Sequence, residues 1–454
     1  MSNKWLILTI LSLSVATRFI FFGHPSQTVF DEVHFGKFVS AYYTHEYYFD
    51  IHPPLGKLII AGFGKLAGFS PEYSFSQIGE KFQDNRYMAL RFLPSLAGAL
   101  LPLILFFLAL EIGFSRRAAL LAGLLLVFEN GIITQSRFVL MDAFLLLFGF
   151  SSLLFYFRYR NHNKSINLFL AGIFAAFAIS IKWTGLTFLA IIAILELIML
   201  LKKYKGRLCI KAPFVLVAKN LVFLLFIPFL IYFSVFAIHF SLLNKSGDGD
   251  AFMSPEFQKT LLGDAGYDDP QVKKPTMIGK FSELNYRMYT ANKTLASSHS
   301  YSSKWYTWPF LIRPIYYWVS SEARIYFMGN PIIWWLSTMT MLALILRTAQ
   351  HAITNSKTIV RDRKKELLLI GAFAINFLPF IFIGRVMFLY HYLSAIIFAI
   401  LALAYTLDNE SPRKLIIAVI ALCVVSFVYF SPLTYGLSMS RTIYESHIWL
   451  PSWE

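Results

Sequence analysis

The run WLILTILSLSVATRFIFF at residues 5–22 decides the fold, because in it a single charged residue, Arg18, interrupts an otherwise apolar segment. A helix needs about 20 such residues to cross the hydrocarbon core of a membrane. No small-residue cleavage pattern follows the run, so we interpret it as an uncleaved first transmembrane span and not as a signal peptide.

The whole chain has the composition of an integral membrane protein. Of its 454 residues, 57% are hydrophobic and 15% are charged, which leaves too little polar surface for a soluble protein of this size. In a soluble protein, the net charge of +16 would suggest a nucleic-acid partner. In a membrane protein it can instead reflect topology, and the positions of the basic residues distinguish the two explanations. The two cysteines, Cys209 and Cys423, form neither a disulfide framework nor a metal-ligand spacing with histidines.

Ten further apolar runs approach the length of a membrane span, and with the first they predict an all-α polytopic membrane protein with about eleven transmembrane helices. They are residues 91–112, 118–134, 142–157, 166–181, 184–201, 220–240, 331–347, 367–384, 386–406 and 414–431.

Basic residues cluster at alternate connections between these spans. If the N-terminus lies inside, six basic groups with 20 of the 41 Lys and Arg residues lie inside as well. Cytoplasmic connections carry such an excess, so the net charge reflects topology, and we expect no nucleic-acid partner. The six groups are Lys4, Arg116-Arg117, Arg158 to Lys164, Lys202 to Lys219, Arg347 to Lys365 and Arg413-Lys414.

Two long segments remain on the outer face, residues 23–90 and 241–330. The second is rich in Tyr, Trp and Ser, which is typical of a loop that lies against the membrane surface, so we expect interfacial helices in these loops. The sequence therefore predicts three regions: an N-terminal transmembrane module (1–240) that includes the first outer loop, the large outer loop (241–330), and a C-terminal four-helix module with an outer tail (331–454).

Two adjacent carboxylates follow the first span, in TVFDEVHF at residues 28–35. Ionisable groups next to lipid are expensive and often mark a functional site. Asp31 and Glu32 fit an acidic cap that faces water, a general base for a hydroxyl, or a ligand for a divalent metal.

The same loop contains YYFDIHPPLGK at residues 47–57. Its two prolines fix an extended corner ahead of an apolar helix. The corner is either a structural turn or a support that presents Asp50 and His52 to a site at the membrane surface.

Several cations from different spans meet at one depth on the outer side. Arg91 begins the second span, and an interfacial arginine that snorkels is the common explanation for such a residue. Arg137 and Asp142, which are close enough in sequence to pair, lie in the next outer connection. Together with Lys182 and Arg385 in later outer connections, they predict a cradle for the phosphate of a lipid carrier.

The large outer loop carries clustered aromatic residues. The stretch SHSYSSKWYTWP at residues 298–309, followed by RPIYY at 313–317, is either an interfacial aromatic belt or the wall of an acceptor groove. For the groove we name His299, Trp305, Trp308 and Arg313. Asp248-Gly249-Asp250 lacks the further ligands of a calcium loop and is interpreted as a solvated turn.

These segments together resemble the protein O-mannosyltransferase family, the dolichyl-phosphate-mannose-protein mannosyltransferases, among the membrane glycosyltransferases called GT-C. The resemblance covers nearly the whole chain, and eleven spans with these loop sides are also the family's arrangement. It is carried by FDEVHFG (30–36), FDIHPPLGK (49–57), RFLP (91–94), Ser136-Arg137 with Asp142, KWTGL (182–186), the stretch 308–317, HYL (391–393) and PLTYG (432–436).

The resemblance implies a GT-C fold and the roles of several residues. Asp31 matches the family's catalytic base, and Glu32 stands beside it. Arg18, Asp50 and Arg91 also match positions regarded as functional in the family. With them, the full predicted set of substrate- and phosphate-binding residues includes His52, Arg137, Asp142, Lys182, Arg385 and His391. About 90 residues in the large loop cannot hold the β-trefoil MIR domain of eukaryotic members, so the chain resembles a compact prokaryotic one.

The implied reaction is an inverting transfer of mannose from a polyprenyl phosphate mannose to a Ser or Thr hydroxyl of a secreted or membrane protein. Fixed cations stabilise the leaving phosphate, so no cofactor is required, although Asp31 and Glu32 leave a divalent metal such as Mg or Mn open. The implied partners are the donor lipid, the membrane and an acceptor polypeptide met at the secretion translocon. The implied location is the prokaryotic plasma membrane, with the N-terminus cytoplasmic and the active site and C-terminus outside.

Three other readings stay open from sequence. A GT-C relative of the aminoarabinose transferases would move the sugar to a lipid or glycan acceptor. A transporter would carry its polar groups at midmembrane in broken helices, whereas here they gather at the outer surface. A non-catalytic subunit would keep the fold, and an intact Asp31 argues against it.

Overall fold

The chain is almost entirely helical, as the apolar runs predict. The computed structural model describes residues 3–203, 214–271, 273–294, 299–354 and 363–454. Cys209, Ser298 and the central parts of the basic connections 202–219 and 347–365 lie outside the described residues.

The first half of the chain contains helices α1 (Asn3–Phe19), α2 (Glu32–Thr44), α3 (Leu55–Leu66), α4 (Tyr87–Ile112), α5 (Arg116–Val127), α6 (Asn130–Ser136), α7 (Asp142–His162), α8 (Ser165–Ile181) and α9 (Leu186–Lys203). The second half contains α10 (Phe214–Leu221), α11 (Ile227–Leu242), α12 (Pro255–Gln258), α13 (Met277–Thr294), α14 (Pro331–Thr354), α15 (Arg363–Phe377), α16 (Leu393–Glu410), α17 (Arg413–Tyr435) and α18 (Arg441–Ser446). Two strands, β1 (Ile315–Val319) and β2 (Arg324–Phe327), precede α14.

Each predicted span overlaps a helix, but the predicted number of eleven crossings is not confirmed. Within the described ranges, eight helical segments are long and apolar enough to cross a membrane, and a ninth arises if α5 and α6 form one bent span. Helices α1 and α8 fall short because each has only 17 residues. The chain is nevertheless an integral membrane protein with an all-α membrane part.

The two outer segments contain short helices, as predicted, and one unpredicted sheet. The first segment holds α2 and α3, and the second holds α12 and α13. Strands β1 and β2 form an antiparallel hairpin with an irregular register between Tyr316 and Trp318. Its residues are mostly aromatic and β-branched, which favours strands. The all-α prediction for this loop missed the hairpin because an interfacial aromatic belt has the same composition.

Helix α1 ends earlier than the apolar run predicts, at Phe19 instead of residue 22. The last carbonyl groups of a helix have no partner within it. Here Arg137 supplies one, because its guanidinium donates to the carbonyl oxygens of Arg18, Ile20 and Phe21 at 2.8, 2.6 and 2.7 Å. An arginine at this end also complements the helix dipole.

A second arginine, Arg18, binds the carbonyl groups at the end of α5. There the chain bends by 60° between α5 and α6. Arg18 of α1 is fully buried. It donates to the carbonyl oxygens of Leu126 and Val127, the last residues of α5, at 3.0 and 2.8 Å. The two arginines thus fix the ends of α1 and α5 against each other.

The helix α8 packs closely against the segment that joins α10 and α11. That segment, Val222–Phe226, is π-helical, and a π-helical turn is a local distortion often kept for a packing or functional reason. A Cβ atom built on Gly172 of α8 would lie 1.9 Å from the carbonyl oxygen of Phe223. Only glycine therefore allows this approach of the two backbones.

We expect Gly172→Ala to destabilise the protein by about 1–3 kcal/mol, because the added methyl group forces α8 away from this segment. Thermal unfolding in detergent measures the change. Gly371→Ala is the matched control, since a Cβ on Gly371 of α15 meets nothing within 4 Å. Equal melting temperatures for the two variants would contradict the close approach.

Candidate active site

A cavity of about 270 Å³ lies where several helices end on one side of the membrane. It is bounded by the start of α7, the turn between α8 and α9, the end of α15 and the start of α16, with the corner before α3 at its rim. Five of the predicted site residues line it: His52, Asp142, Lys182, Arg385 and His391.

An ion pair forms one wall of this cavity. Lys182 follows the last residue of α8 in an extended conformation, and its ammonium donates to both carboxylate oxygens of Asp142 at 2.8 and 2.9 Å. Gln135 donates to the same carboxylate at 2.7 Å, and the hydroxyl of Tyr317 donates to Gln135. Since both charged side chains are only about a tenth exposed (11% and 9%), the pair is a fixed and nearly dry feature of the wall.

Asp31 stands at the start of α2 with an uncommitted carboxylate. It occupies the N-cap position without a side-chain cap hydrogen bond, and its carboxylate oxygens accept no hydrogen bond from any described residue. Burial raises the pKa of Asp31 to about 7, with Asp142 and Asp50 adding to the rise and Lys182 opposing it. These interactions link Asp31 electrostatically to the wall of the cavity, although it is not one of the residues that line it.

Glu32, the next residue, is in the opposite situation. It is fully buried, and Arg91 donates to its two oxygens at 2.8 and 2.6 Å. The same oxygens accept the backbone N–H groups of Val29 and Val139 at 2.9 and 3.0 Å. All four of these hydrogen bonds tie the Glu32 carboxylate to the protein itself. The geometry therefore supports a structural role for Glu32 and gives no support to a catalytic one.

Three of the four predicted phosphate-binding arginines, Arg18, Arg91 and Arg137, do not line the cavity. Arg91 is 1% exposed, and besides Glu32 it donates to the carbonyl oxygens of residues 23, 25 and 27 at 3.0, 2.7 and 2.7 Å. Arg18 and Arg137 bind helix ends, as described above. Their predicted contact with phosphate therefore has no support in this geometry, because a guanidinium committed to buried carbonyls is not available to a ligand.

The corner before α3 is held by a residue that the sequence analysis quoted but did not select. Lys57 is fully buried in the first turn of α3. Its ammonium forms an ion pair with Asp50 and donates to the carbonyl oxygen of His52 at 2.9 Å. The sequence feature that could have identified Lys57 is its position as a charged residue in the first turn of an apolar helix. Asp50 thus anchors the corner, and His52 reaches the cavity.

His391 and Arg385 form the opposite wall. One ring nitrogen of His391 lies 2.9 Å from the carbonyl oxygen of Phe388, and its ring stacks on Tyr390 with the centroids 4.7 Å apart. Lys182 lies over the same Tyr390 ring, 5.3 Å from its centroid, so Tyr390 is a site residue that sequence reasoning missed. Burial lowers the pKa of Arg385, whose guanidinium has no hydrogen bond or ion pair to any described residue.

The four residues predicted to form the acceptor groove lie in three different environments. Trp305 and Arg313 line a second, open cavity of about 710 Å³, which shares Ile383 and Arg385 with the first. His299 is exposed beside it and packs against Phe388 with centroids 5.0 Å apart. Trp308 is not a groove residue, because it is fully buried and its indole N–H donates to Ser303 at 2.9 Å.

Within the described ranges, no group of three or more His, Cys, Asp or Glu side chains is arranged to hold a metal ion. Asp31 and Glu32 are neighbours in sequence, but the Glu32 oxygens are occupied by Arg91 and backbone N–H groups. The predicted independence from a cofactor stays a prediction.

Solved structures show which fold the chain has. The chain is similar to the structure of the S. cerevisiae protein O-mannosyltransferase Pmt1-Pmt2 complex bound to the sugar donor, with a TM-score of 0.91 and 23% identity over 100% of this chain and 93% of that chain. The apo structure of ArnT from Cupriavidus metallidurans gives a TM-score of 0.52 and 15% identity over 91% of this chain and 62% of that one. The fold is thus that of the GT-C membrane glycosyltransferases, as the resemblance implied.

The sequence narrows this class to one family. Residues 7–244 match the family described as dolichyl-phosphate-mannose-protein mannosyltransferase, and residues 277–453 match the C-terminal four TMM region of protein-O-mannosyltransferase. The chain therefore belongs to the dolichyl-phosphate-mannose-protein mannosyltransferase family, and the resemblance stated from the motifs is confirmed.

A curated relative covers the N-terminal part of the chain. The dolichyl-phosphate-mannose--protein mannosyltransferase 4 of Candida albicans is 38% identical over 261 residues, which are 55% of this chain and 35% of that protein. The chain thus spans about a third of that relative's length.

The contrast between Asp31 and Glu32 predicts opposite effects on stability. We expect Glu32→Gln to cost about 3–5 kcal/mol, because it leaves the buried charge of Arg91 without its partner. Asp31→Asn should leave stability within about 0.5 kcal/mol or raise it, since an ionised Asp31 is unfavourable in the folded state. Denaturant unfolding of both variants in detergent, at a pH above 7, measures the difference. Equal losses of stability would contradict this division of roles.

Proposed function

We propose that this protein transfers mannose from a polyprenyl phosphate mannose to Ser or Thr hydroxyl groups of polypeptides on the outer face of the membrane. The observation that carries the proposal is the uncommitted carboxylate of Asp31, whose pKa is about 7 and which interacts electrostatically with Lys182, a residue of the cavity that also contains Arg385. Membership in the mannosyltransferase family supports the sugar and the lipid-linked donor.

Asp31 would act as the general base. A Ser or Thr hydroxyl is a poor nucleophile at neutral pH, and a base with a pKa near the working pH is the most effective. The hydroxyl oxygen forms a bond to the anomeric carbon of mannose while its proton passes to Asp31. The bond from that carbon to the phosphate oxygen breaks, and the phosphate leaves with the electron pair. A β-linked donor gives an α-linked product through an oxocarbenium-like state.

Lys182 and Arg385 would stabilise the charge that grows on the leaving phosphate. The Lys182 charge is shared with Asp142, whereas the Arg385 guanidinium has no carboxylate partner among the described residues. Arg385 is therefore the cation with the larger capacity to bind a dianionic phosphate. Fixed cations at this position act more strongly on the transition state than on the donor.

The location and partners follow from the same proposal. The cavity lies on the side of the membrane opposite the basic connections, which would be the outer side, with the N-terminus cytoplasmic. The donor lipid reaches the cavity from the membrane, and the polypeptide acceptor meets it at the outer surface near the secretion translocon. The large loop, residues 241–330, is too short to hold an additional β-trefoil domain, which favours a prokaryotic plasma membrane.

We expect Asp31→Asn to reduce mannose transfer by about 10²–10⁴-fold, the usual contribution of a general base. The assay measures transfer of radiolabelled mannose from polyprenyl phosphate mannose to a Ser/Thr peptide by the protein in detergent. Including EDTA in a parallel reaction reports on metal dependence.

Glu72→Gln is the matched control, because it also converts a carboxylate to an amide in the first outer loop but its side chain is 64% exposed. Unchanged transfer by Asp31→Asn would reject Asp31 as the base. A folded wild-type protein that labels a lipid or glycan and no peptide would instead support the alternative acceptor of the aminoarabinose transferases.

The pKa of Asp31 predicts the pH dependence of transfer. Because only the ionised carboxylate accepts a proton, kcat/KM should rise about tenfold per pH unit below pH 7 and level off above it. The profile should be measured with limiting donor between pH 5 and 9. A profile that is flat below pH 7 would contradict both the raised pKa and the assigned base.

A further inference from the structure

The second cavity is an open groove between two segments that are far apart in sequence. One wall comes from residues 302–313 and the other from residues 381–387. The walls are joined by a backbone hydrogen bond, from the N–H of Ser303 to the carbonyl oxygen of Met387 at 2.9 Å. Its volume of about 710 Å³ is in the usual range for a binding site.

One wall of this groove offers unused backbone groups. Ile383 is extended, with φ −94° and ψ 111°, and so is Phe388, with φ −136° and ψ 159°, while the chain bends at Arg385 between them. Between them, the N–H and C=O groups of Gly384 and Val386 have no hydrogen-bond partner among the described residues. A Cβ on Gly384 would meet no atom within 4 Å, so the space beside this backbone is open. Another extended chain could approach it closely and form main-chain hydrogen bonds.

The groove is also positively charged. Lys304, Arg313 and Arg385 line it, and no Asp or Glu does so among the described residues. Among the residues that the structure describes, Arg313 donates only to neutral carbonyl oxygens, those of Ser300 at 3.0 Å and Ser452 at 3.3 Å. Lys304 is exposed and forms no ion pair with a described carboxylate.

Topology does not account for these cations. The positive-inside rule places excess Lys and Arg on the cytoplasmic side, whereas this groove opens on the same side as the candidate active site. Arg385 is already assigned to the donor phosphate. Lys304 and Arg313 have no carboxylate partner among the described residues, so they indicate a second ligand that carries negative charge.

We infer that the groove binds the acceptor polypeptide as an extended segment that carries an Asp or Glu within a few residues of the Ser or Thr. The inference rests on the proposed function and adds the class of acceptor sequence. Main-chain hydrogen bonds to Gly384 and Val386 hold the segment, Lys304 and Arg313 bind its carboxylate, and the hydroxyl enters the first cavity beside Ile383 and Arg385, which line both cavities.

Three peptides that differ only beside a central Thr test the charge preference in the wild-type protein. The residues flanking the Thr are Asp, Asn or Lys. We expect KM to be about three- to tenfold lower for the Asp peptide than for the Lys peptide, with the Asn peptide between them. The advantage should shrink in 0.5 M NaCl, because salt screens exposed charges.

Charge reversal in the groove should reverse this order. We expect Lys304→Glu with Arg313→Glu to prefer the Lys peptide, and Lys304→Glu alone to remove most of the preference for Asp. Lys65→Glu is the matched control for Lys304→Glu, because Lys65 is an exposed lysine of α3 outside the groove and both single substitutions change the net charge by the same amount. It should keep the wild-type order.

A comparison of two variants at Val386 tests the proposed main-chain hydrogen bonds between the groove and the peptide. Val386→Pro removes the N–H at this position, whereas Val386→Ala removes most of the side chain and keeps the N–H. We expect the proline variant to raise KM for all three peptides at least fivefold more than the alanine variant does, with kcat much less affected. Equal KM values for the two variants would overturn the proposed pairing.

The outcomes separate this inference from the proposed function. If all three peptides accept mannose with equal KM in low salt, the acidic preference is wrong and the mannosyltransferase activity stands. If the double variant keeps the wild-type order while it remains folded and active, Lys304 and Arg313 do not bind the acceptor. If no peptide accepts mannose, the proposed function itself fails.

Discussion

The ion pair between Glu32 and Arg91 is the interaction on which the part of the structure around the candidate active site depends. It is completely buried, and the two side chains also bind backbone groups of residues 23, 25, 27, 29 and 139. It therefore connects the exit of α1, the start of α2, the beginning of α4 and the segment before α7. A buried pair adds little net stability compared with an apolar contact, but it fixes one geometry because either charge alone is costly.

Around this pair, the charges divide into those that hold the protein together and those that are left for a substrate. Arg18, Arg91 and Arg137 are committed to carbonyl oxygens, and Lys57 is committed to Asp50 and His52. Asp31 and Arg385 have no such commitments among the described residues. Arg91 and Arg385 are thus the same residue type in different situations. The difference is that, in the part of the chain that the structure describes, carbonyl oxygens lie within hydrogen-bond distance of Arg91 and not of Arg385.

This division explains how far the sequence could predict the site. The apolar runs and the motifs were sufficient for the helical fold and for bringing His52, Asp142, Lys182, Arg385 and His391 to one cavity. They could not separate Arg91 from Arg385, because a position at the end of a span does not reveal which carbonyl groups lie nearby. The β1–β2 hairpin and the burial of Trp308 were missed for a similar reason. The amino-acid composition of such an aromatic loop is the same whether its side chains face lipid, line a groove or form a sheet. Composition therefore cannot distinguish these arrangements.

The distance in sequence between the partners of Glu32 has a consequence for biosynthesis. The ribosome makes Glu32 long before Arg91 and longer still before Val139, so the early chain contains an acidic side chain whose permanent environment does not yet exist. Contacts between distant residues also form more slowly than local ones. Helix α2 can take its final position only after the chain has been inserted as far as the segment before α7. During synthesis the nascent protein is therefore in the membrane before Asp31 reaches the position that it has in the folded structure.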